Sequence, residues 1–249
     1  MGRYAFQPKL VPTLAALAGC AILICLGFWQ LSRHEEKQAL LALAQTRVAL
    51  PPVSLEGALA RPDAHLFQRV RARGVYLFDE TVLVLSRRNF SEGSIVLTPL
   101  LAEGLAAQEG HAAAILVDRG WVSAGNEEAI LAQHGRSDPV DVIGSLLLLP
   151  ERKDDTGSVS PPTGKRRRWL SLNLPAIRAQ APLPVVKAII KRGDAEDGDI
   201  PEGSWALPTS RVNHLEYAWT WFLIAATLVG VYLSATLKRV PSDSSRSGV

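Results

Sequence analysis

The chain has 249 residues, 47% of them hydrophobic and 20% charged, and a formal net charge of +3. That length holds one domain of ordinary size with further segments beside it. Both cysteines, Cys20 and Cys25, fall in one apolar run, so no disulfide can brace the rest of the chain.

That run, "LVPTLAALAGCAILICLGFWQL" from Leu10 to Leu31, contains no charge, and neither does "YAWTWFLIAATLVGVYLSATL" from Tyr217 to Leu237. As helices each reaches about 30 Å, the thickness of a bilayer's hydrocarbon core. The expectation is a transmembrane helix over 10–31 and a second over 214–237. "LAGC" at Leu17 to Cys20 has the form of a lipoprotein cleavage box. The chain continues "AILICLGFWQL" where a polar mature start belongs, however, and the run is too long for a signal core. Arg3 and Lys9 precede the first span, and Lys238, Arg239 and Arg246 follow the second. The positive-inside rule then makes the tails 1–9 and 238–249 cytoplasmic and turns the long middle segment outward. A bacterial inner membrane with a periplasmic central domain fits this best, and the short run ahead of the first helix argues against a mitochondrial precursor. Membrane lipid is an expected partner there; no nucleic acid is.

After the first span, "SRHEEKQALLALAQTRV" places Leu40, Leu41, Leu43 and Ala44 at helical spacing with Glu36 and Lys37 on other faces. The helix is expected to extend over 32–50, until Pro51 and Pro52 stop it. Residues 51–210 then read as one mainly β domain. Strand-like runs rich in Val, Ile and Leu cover Arg69–Phe78, Thr81–Arg88, Ser94–Leu101, Ala112–Val122, Pro139–Leu149, Arg167–Asn173 and Pro184–Gly193, most of them separated by Gly, Pro, Asn or Asp. Only Leu174–Ala181 reads as a short helix among them. The fold class is therefore two transmembrane α-helices flanking a mainly β (α+β) extracytoplasmic domain, an antiparallel sheet or small barrel and not a βαβ fold. "VRARGVY" and "VDVIGSL" share V-x-x-x-G, whose glycine marks a strand bend; two short words do not establish a duplication.

The domain offers little chemistry. His65, His111 and His134 are isolated in loop-like sequence and read as solvated. No H-E-x-x-H, G-x-S-x-G, phosphate loop or dinucleotide fingerprint is present, and the chain is not expected to be an enzyme. "VDRGWV" (Val117–Val122) admits two readings: a strand ending in a bulge, with Asp118 and Arg119 paired and Trp121 packed, or a contact surface for a membrane partner. "KRRR" (Lys165–Arg168) is either a solvated loop or, if close to the membrane, a site for anionic headgroups.

The two helix mouths lie on the same side of the membrane. The first helix leaves it at "LGFWQLSR" and the second enters at "VNHLEYAWTW". On a helix His214 shares a face with Tyr217, Ala218 and Trp221, at spacings of three, four and seven, and Trp29 and Arg33 are four apart. Two readings stay open. Trp and Tyr gather at membrane interfaces because their rings are amphipathic, and a histidine among them can simply bond a headgroup. Packed together, one imidazole, one guanidinium and several rings also suit a haem, with His214 on the iron, Arg33 on a propionate, and Trp29, Tyr217 and Trp221 as walls.

"LGFWQLSR", "GSIVLTPLL", "ILVDRGWV" and "NHLEYAWTWFLIA", in this order between two helices, resemble the surfeit locus protein 1 family of cytochrome c oxidase assembly factors over about Gly27 to Leu233. The matching positions are Gly27, Trp29, Gln30 and Arg33; Thr98 and Pro99; Arg119, Gly120 and Trp121; and Asn213, His214, Tyr217, Ala218, Trp221 and Phe222. The resemblance implies a non-enzymatic factor that helps haem a reach the catalytic subunit of the oxidase, with His214 as the haem ligand and haem a synthesis or delivery proteins as further partners. The chain departs from the pattern at Glu36–Lys37, where the family often has a Trp-Lys pair, and matches loosely around "SLNLPAIRAQ". Two rivals remain: a scaffold that stabilises an oxidase assembly intermediate without binding haem, and an enzyme of haem a synthesis, which would need more helices and several intramembrane histidines.

Overall fold

In chain order the elements are β1 (Arg3–Phe6), α1 (Leu10–Val48), β2 (Val53–Ser54), α2 (Leu55–Ala60), β3 (Arg69–Tyr76), β4 (Val82–Arg88), β5 (Ser91–Ala106) and β6 (Ala112–Ser123). They continue with α3 (Glu127–Leu131), β7 (Val140–Leu148), β8 (Arg168–Trp169), α4 (Leu174–Gln180), β9 (Val185–Arg192), α5 (His214–Thr236) and β10 (Leu237–Val240). The computed structural model describes residues 3–88, 90–106, 112–148, 167–193, 201–203 and 213–240. His111, Lys165, Arg166 and Arg246, singled out above, lie outside the described residues. Two units result, Met1–Leu41 with Thr209–Val249, and Ala42–Pro208.

In the first unit α1 and α5 are both long and apolar enough to cross a membrane. They run antiparallel: Thr13 Oγ1 meets Tyr232 Oη at 2.7 Å, Cys20 Sγ lies 3.9 Å from Ala225 O, and His214 Nδ1 is 2.6 Å from Gln30 Oε1. Partly or fully covered positions on α1 include Thr13, Ala16, Cys20, Leu23, Gly27, Gln30, His34, Lys37 and Leu41. On α5 they include His214, Ala218, Trp221, Ala225, Leu228 and Tyr232. Alternating steps of three and four keep such a stripe facing its partner, the pattern of left-handed helix pairs. Small residues set the approach. A Cβ on Gly27 would stand 2.4 Å from Cε1 of Phe222, so the glycine is the slot for that ring. Phe28 and Trp219 meet the same ring edge to face, at centroid distances of 5.6 and 6.4 Å. The expected side assignment of the helical extension is corrected: Lys37 is on the covered stripe, while Leu40 and Leu43 are exposed. Beyond the helices, β1 and β10 pair antiparallel from Arg3↔Val240 to Phe6↔Leu237.

The second unit is a mainly β domain built on a closed five-stranded barrel. β3 pairs β7, β7 pairs β9, β9 pairs β6, β6 pairs β5, and β5 returns to β3. All these pairs are antiparallel except β6–β9, which the chain reaches through the crossover carrying α4. Inward-facing Val70, Leu100, Ile115, Val117, Leu146 and Ile190 fill the interior with Leu55 and Ala58 of α2. The alternate residues Leu97, Leu116 and Ile189 pack outside with Trp169 and with Leu174 and Ile177 of α4. Because both faces of β6 are covered, its sequence "AAAILV" is continuously apolar. Asn173 caps α4 by accepting from Ala176 N at 3.0 Å.

Barrel closure explains two sequence features. Val70 pairs with Gly144 and Gly74 with Val140, so the two V-x-x-x-G words are antiparallel partners of each other. A Cβ on Gly74 would stand 2.2 Å from Leu101 O, and one on Gly144 2.5 Å from Lys191 O; each glycine sits where a third strand comes close. The Thr98–Pro99 pair marks the corner at which β5 leaves β4, last paired at Leu97, for β3, first paired at Leu100. Pro99 has no N–H for a ladder, but its carbonyl accepts from Leu77 N at 2.9 Å. Thr98 and Thr81 share a buried hydroxyl hydrogen bond of 3.0 Å.

Candidate functional site

His214 opens α5, and its ring reaches α1 on both edges. Nδ1 lies 2.6 Å from Gln30 Oε1, and Nε2 contacts Nζ of Lys37. Seven residues separate Gln30 from Lys37, so both belong to the stripe that faces α5, and two turns of polar stripe grip one imidazole. An ammonium only donates, so Nε2 accepts and the ring is neutral, with its hydrogen on Nδ1 directed at Gln30. His34 stands on the same stripe between them. Among the described residues no three His, Cys, Asp or Glu side chains gather as a metal cluster. His214 is therefore not part of a cluster of three such side chains among the described residues.

The residues expected around it are placed as follows. Trp221 is partly covered on the stripe of His214. Trp29 and Tyr217 are 54% and 53% exposed, off the covered stripes of their helices. Arg33 donates to Glu36 Oε2 at 2.6 Å, one turn along its own helix. The cation in contact with the imidazole is Lys37. Gln30 and Lys37 gained no role from the sequence reading, and His34 was passed over. Their common signal is the three-and-four spacing that continues from the apolar stripe into polar residues.

The "VDRGWV" stretch of the barrel unit does other work. The strand does not end there: Leu97 pairs with Asp118 and Val96 with Gly120, which leaves Arg119 as the extra residue of a bulge inside β6. Gly120 has φ +127°, and a Cβ there would stand 2.2 Å from Glu202 O. The next residue, Trp121, exchanges two backbone hydrogen bonds with Glu202, at 2.9 and 2.8 Å. Asp118 and Arg119 take separate surroundings in place of the expected pair. Arg119 is 9% exposed, its guanidinium 5.4 Å from the Tyr76 ring and 5.3 Å from that of Phe78, and it donates to Gln133 Oε1 at 2.9 Å. Two ring faces partly replace the water that this buried cation loses. Asp118 lines a small apolar hollow with Val84, Ile95, Leu97 and Ile189 and accepts from Gly120 N at 3.0 Å. Burial pushes its carboxyl above the ordinary range, against the opposing pull of Lys191 and that N–H.

The basic run "KRRR" is committed to the fold where it is described. Arg167 donates to the carbonyl oxygens of Thr81, Leu131 and Phe78, at 3.1, 2.9 and 3.1 Å, and Arg168 binds Glu128 at 2.6 Å and Glu127 at 3.4 Å. Neither the solvated-loop nor the headgroup reading describes these two residues. His65 bonds Gln68 at 2.8 Å and His134 bonds Asp79 at 3.1 Å.

Comparison with known proteins agrees over the whole of this architecture. The SURF1 family model matches residues 17–226. A SURF1-like protein of Rickettsia bellii is 32% identical over 231 residues, covering 88% of each chain. One of Rickettsia felis is 32% identical over 231 residues, 88% of this chain and 94% of that protein. Human Surfeit locus protein 1 is 24% identical over 228 residues, 87% of this chain and 74% of the human protein. The match runs from within α1, through the barrel unit, to the first half of α5, and by it the chain belongs to the SURF1 family.

Proposed function

We propose that this protein is a non-enzymatic assembly factor for a haem-copper terminal oxidase, cytochrome c oxidase, and that it holds haem a at the outer mouth of the α1–α5 pair before the haem enters the catalytic subunit. The assembly role rests on the family and on the resemblance of its motifs to cytochrome c oxidase assembly factors. The haem reading rests on one observation: a neutral imidazole at the helix mouth whose Nδ1–H is held by Gln30 and whose Nε2 keeps a lone pair, met in this structure by Lys37. Histidine ligands to iron are commonly oriented through the second ring nitrogen in this way.

The donor set fits the group. A haem brings four equatorial nitrogens of its own and needs one axial base from the protein, which His214 can supply. A single strong ligand holds the group while leaving it exchangeable, as a carrier requires. Trp29, Tyr217 and Trp221 offer flat apolar surface, and Arg33 and Lys37 are the cations near enough to the mouth to meet carboxylates. The haem, once bound, is the redox-active cargo; the chain's own residues only bind, orient and release it. In this reading the basic tails are cytoplasmic, and His214 and the barrel unit lie on the periplasmic side of a bacterial inner membrane.

The test is an absorption spectrum of the full chain purified from cells that make haem a, wild type beside His214→Ala. A haem a band present in the wild type and lost in a folded, inserted variant is the expected result. Absence of the band in the wild type would replace the carrier reading with that of a scaffold acting by contact alone.

A further inference from the structure

Gln30 and Lys37 together decide what His214 offers to a ligand. The ammonium of Lys37 can only donate, so its contact with Nε2 requires a lone pair at that nitrogen. The ring hydrogen is then on Nδ1, which donates to Gln30 Oε1 at 2.6 Å. The nitrogen available for coordination and the nitrogen covered by Lys37 are the same atom.

We infer that Gln30 is a positioning residue that fixes the Nδ1–H tautomer, and that Lys37 is a displaceable cap on the coordinating lone pair of His214. The inference rests on the haem reading above and adds to it a device for exchange. Coordination at Nε2 and the hydrogen bond from Lys37 are mutually exclusive, because one lone pair serves both. A ligand must therefore displace the ammonium to enter, and the ammonium returns to the same lone pair when the ligand leaves. Lysine suits the part, since its charge sits on a flexible four-carbon stem and can swing aside without movement of the helix. Gln30 suits the other part, since a side-chain amide on the packed stripe of α1 presents a fixed acceptor. Without that acceptor the hydrogen is free to move to Nε2 once Lys37 swings aside, and the lone pair is then lost when a ligand would need it.

The experiment uses the full chain in detergent micelles, with ferric haem a as the probe and stopped-flow absorbance as the readout. Removing the competing hydrogen bond by Lys37→Met should speed association and tighten binding by about tenfold. Gln30→Ala should weaken binding by about tenfold, and Gln30→Glu, which restores an acceptor, should recover most of that loss. A second readout needs no haem: nitrogen-15 spectra of histidine-labelled protein, with the His214 signal assigned by its loss in His214→Ala. Wild type should show the Nδ1–H tautomer, Lys37→Met should retain it through Gln30 alone, and Gln30→Ala combined with Lys37→Met should show a mixture of both. Loss of the haem band in His214→Ala alone, with Lys37→Met binding like wild type, overturns the cap and leaves the haem reading intact. A double variant Gln30→Ala, Lys37→Met with the tautomer unchanged from Lys37→Met overturns the positioning role. Equal binding by wild type and His214→Ala removes the haem reading and this inference with it.

Discussion

Gly120→Ala tests whether the bulge in β6 is built as argued. At φ +127° an alanine is strained by about 1–3 kcal/mol. Its Cβ would also meet Glu202 O at 2.2 Å, Glu202 C at 2.4 Å and Gly203 N at 2.7 Å, all backbone atoms that cannot rotate away. Relief requires the Glu202–Gly203 segment to retreat, which breaks both hydrogen bonds between Trp121 and Glu202, each worth about 1 kcal/mol. The expected loss is about 3–5 kcal/mol, a large share of the roughly 5–15 kcal/mol that holds a domain together. For a unit of this size that corresponds to a fall of about 6–20 °C in Tm. The assay is thermal unfolding of the full chain in detergent, followed by near-ultraviolet circular dichroism. Gly125→Ala is the internal control: nothing lies within 4 Å of a Cβ built there, and the change should stay within about 0.5 kcal/mol. A loss below about 1 kcal/mol for Gly120→Ala would refute the account of the bulge.

Gly27→Leu should force the Phe222 ring out of its slot and separate the helix pair, at a cost of about 1–3 kcal/mol. A cysteine placed at Ala225 should form a disulfide with Cys20, whose sulfur is 3.9 Å from the Ala225 carbonyl oxygen, and Gly27→Leu should abolish most of that product on a non-reducing gel. Asp118→Asn should alter pH dependence in a defined direction. The folded carboxyl ionises at higher pH than the unfolded one, so the folded state binds more protons between the two values and stability falls as pH rises through that window. The variant keeps the acceptor for Gly120 N and should lack this fall, matching the wild type in acid and exceeding it at pH 7 in urea unfolding.

Strands were legible wherever apolar and β-branched residues were concentrated between turn residues, as in "TVLVLSRR" and "PVVKAIIKRG". The two long helices declared themselves by unbroken apolar length. What the sequence concealed were relations between segments far apart along the chain. Nothing in "VRARGVY" or "VDVIGSL" states that each is the other's partner, because strand pairing is a property of two segments and not of either alone. The helix α2 and the turn of α3 are too short for a periodicity to show. At the candidate site His214 stood out as a histidine among aromatics at the end of an apolar run, and only the family resemblance gave it a role. Gln30 was named only as a motif position, Lys37 was put on another face and His34 was passed over, because polar residues on an apolar stripe look like the end of a pattern, when here they continue it.

The outermost strands of the eight-stranded sheet, β2 and β8, are only two residues long. A foreign strand that tried to extend the sheet would find a template too short to grip at either end. Past β8, the rest of β4 carries Arg87 and Arg88, each already tied to a glutamate. Long edges invite pairing with the wrong chain, and short or charged ones discourage it. Under the assembly role proposed above, standing beside half-finished complexes, the protein gains from this arrangement. In that role these two short edges would give unpaired chains little backbone to join.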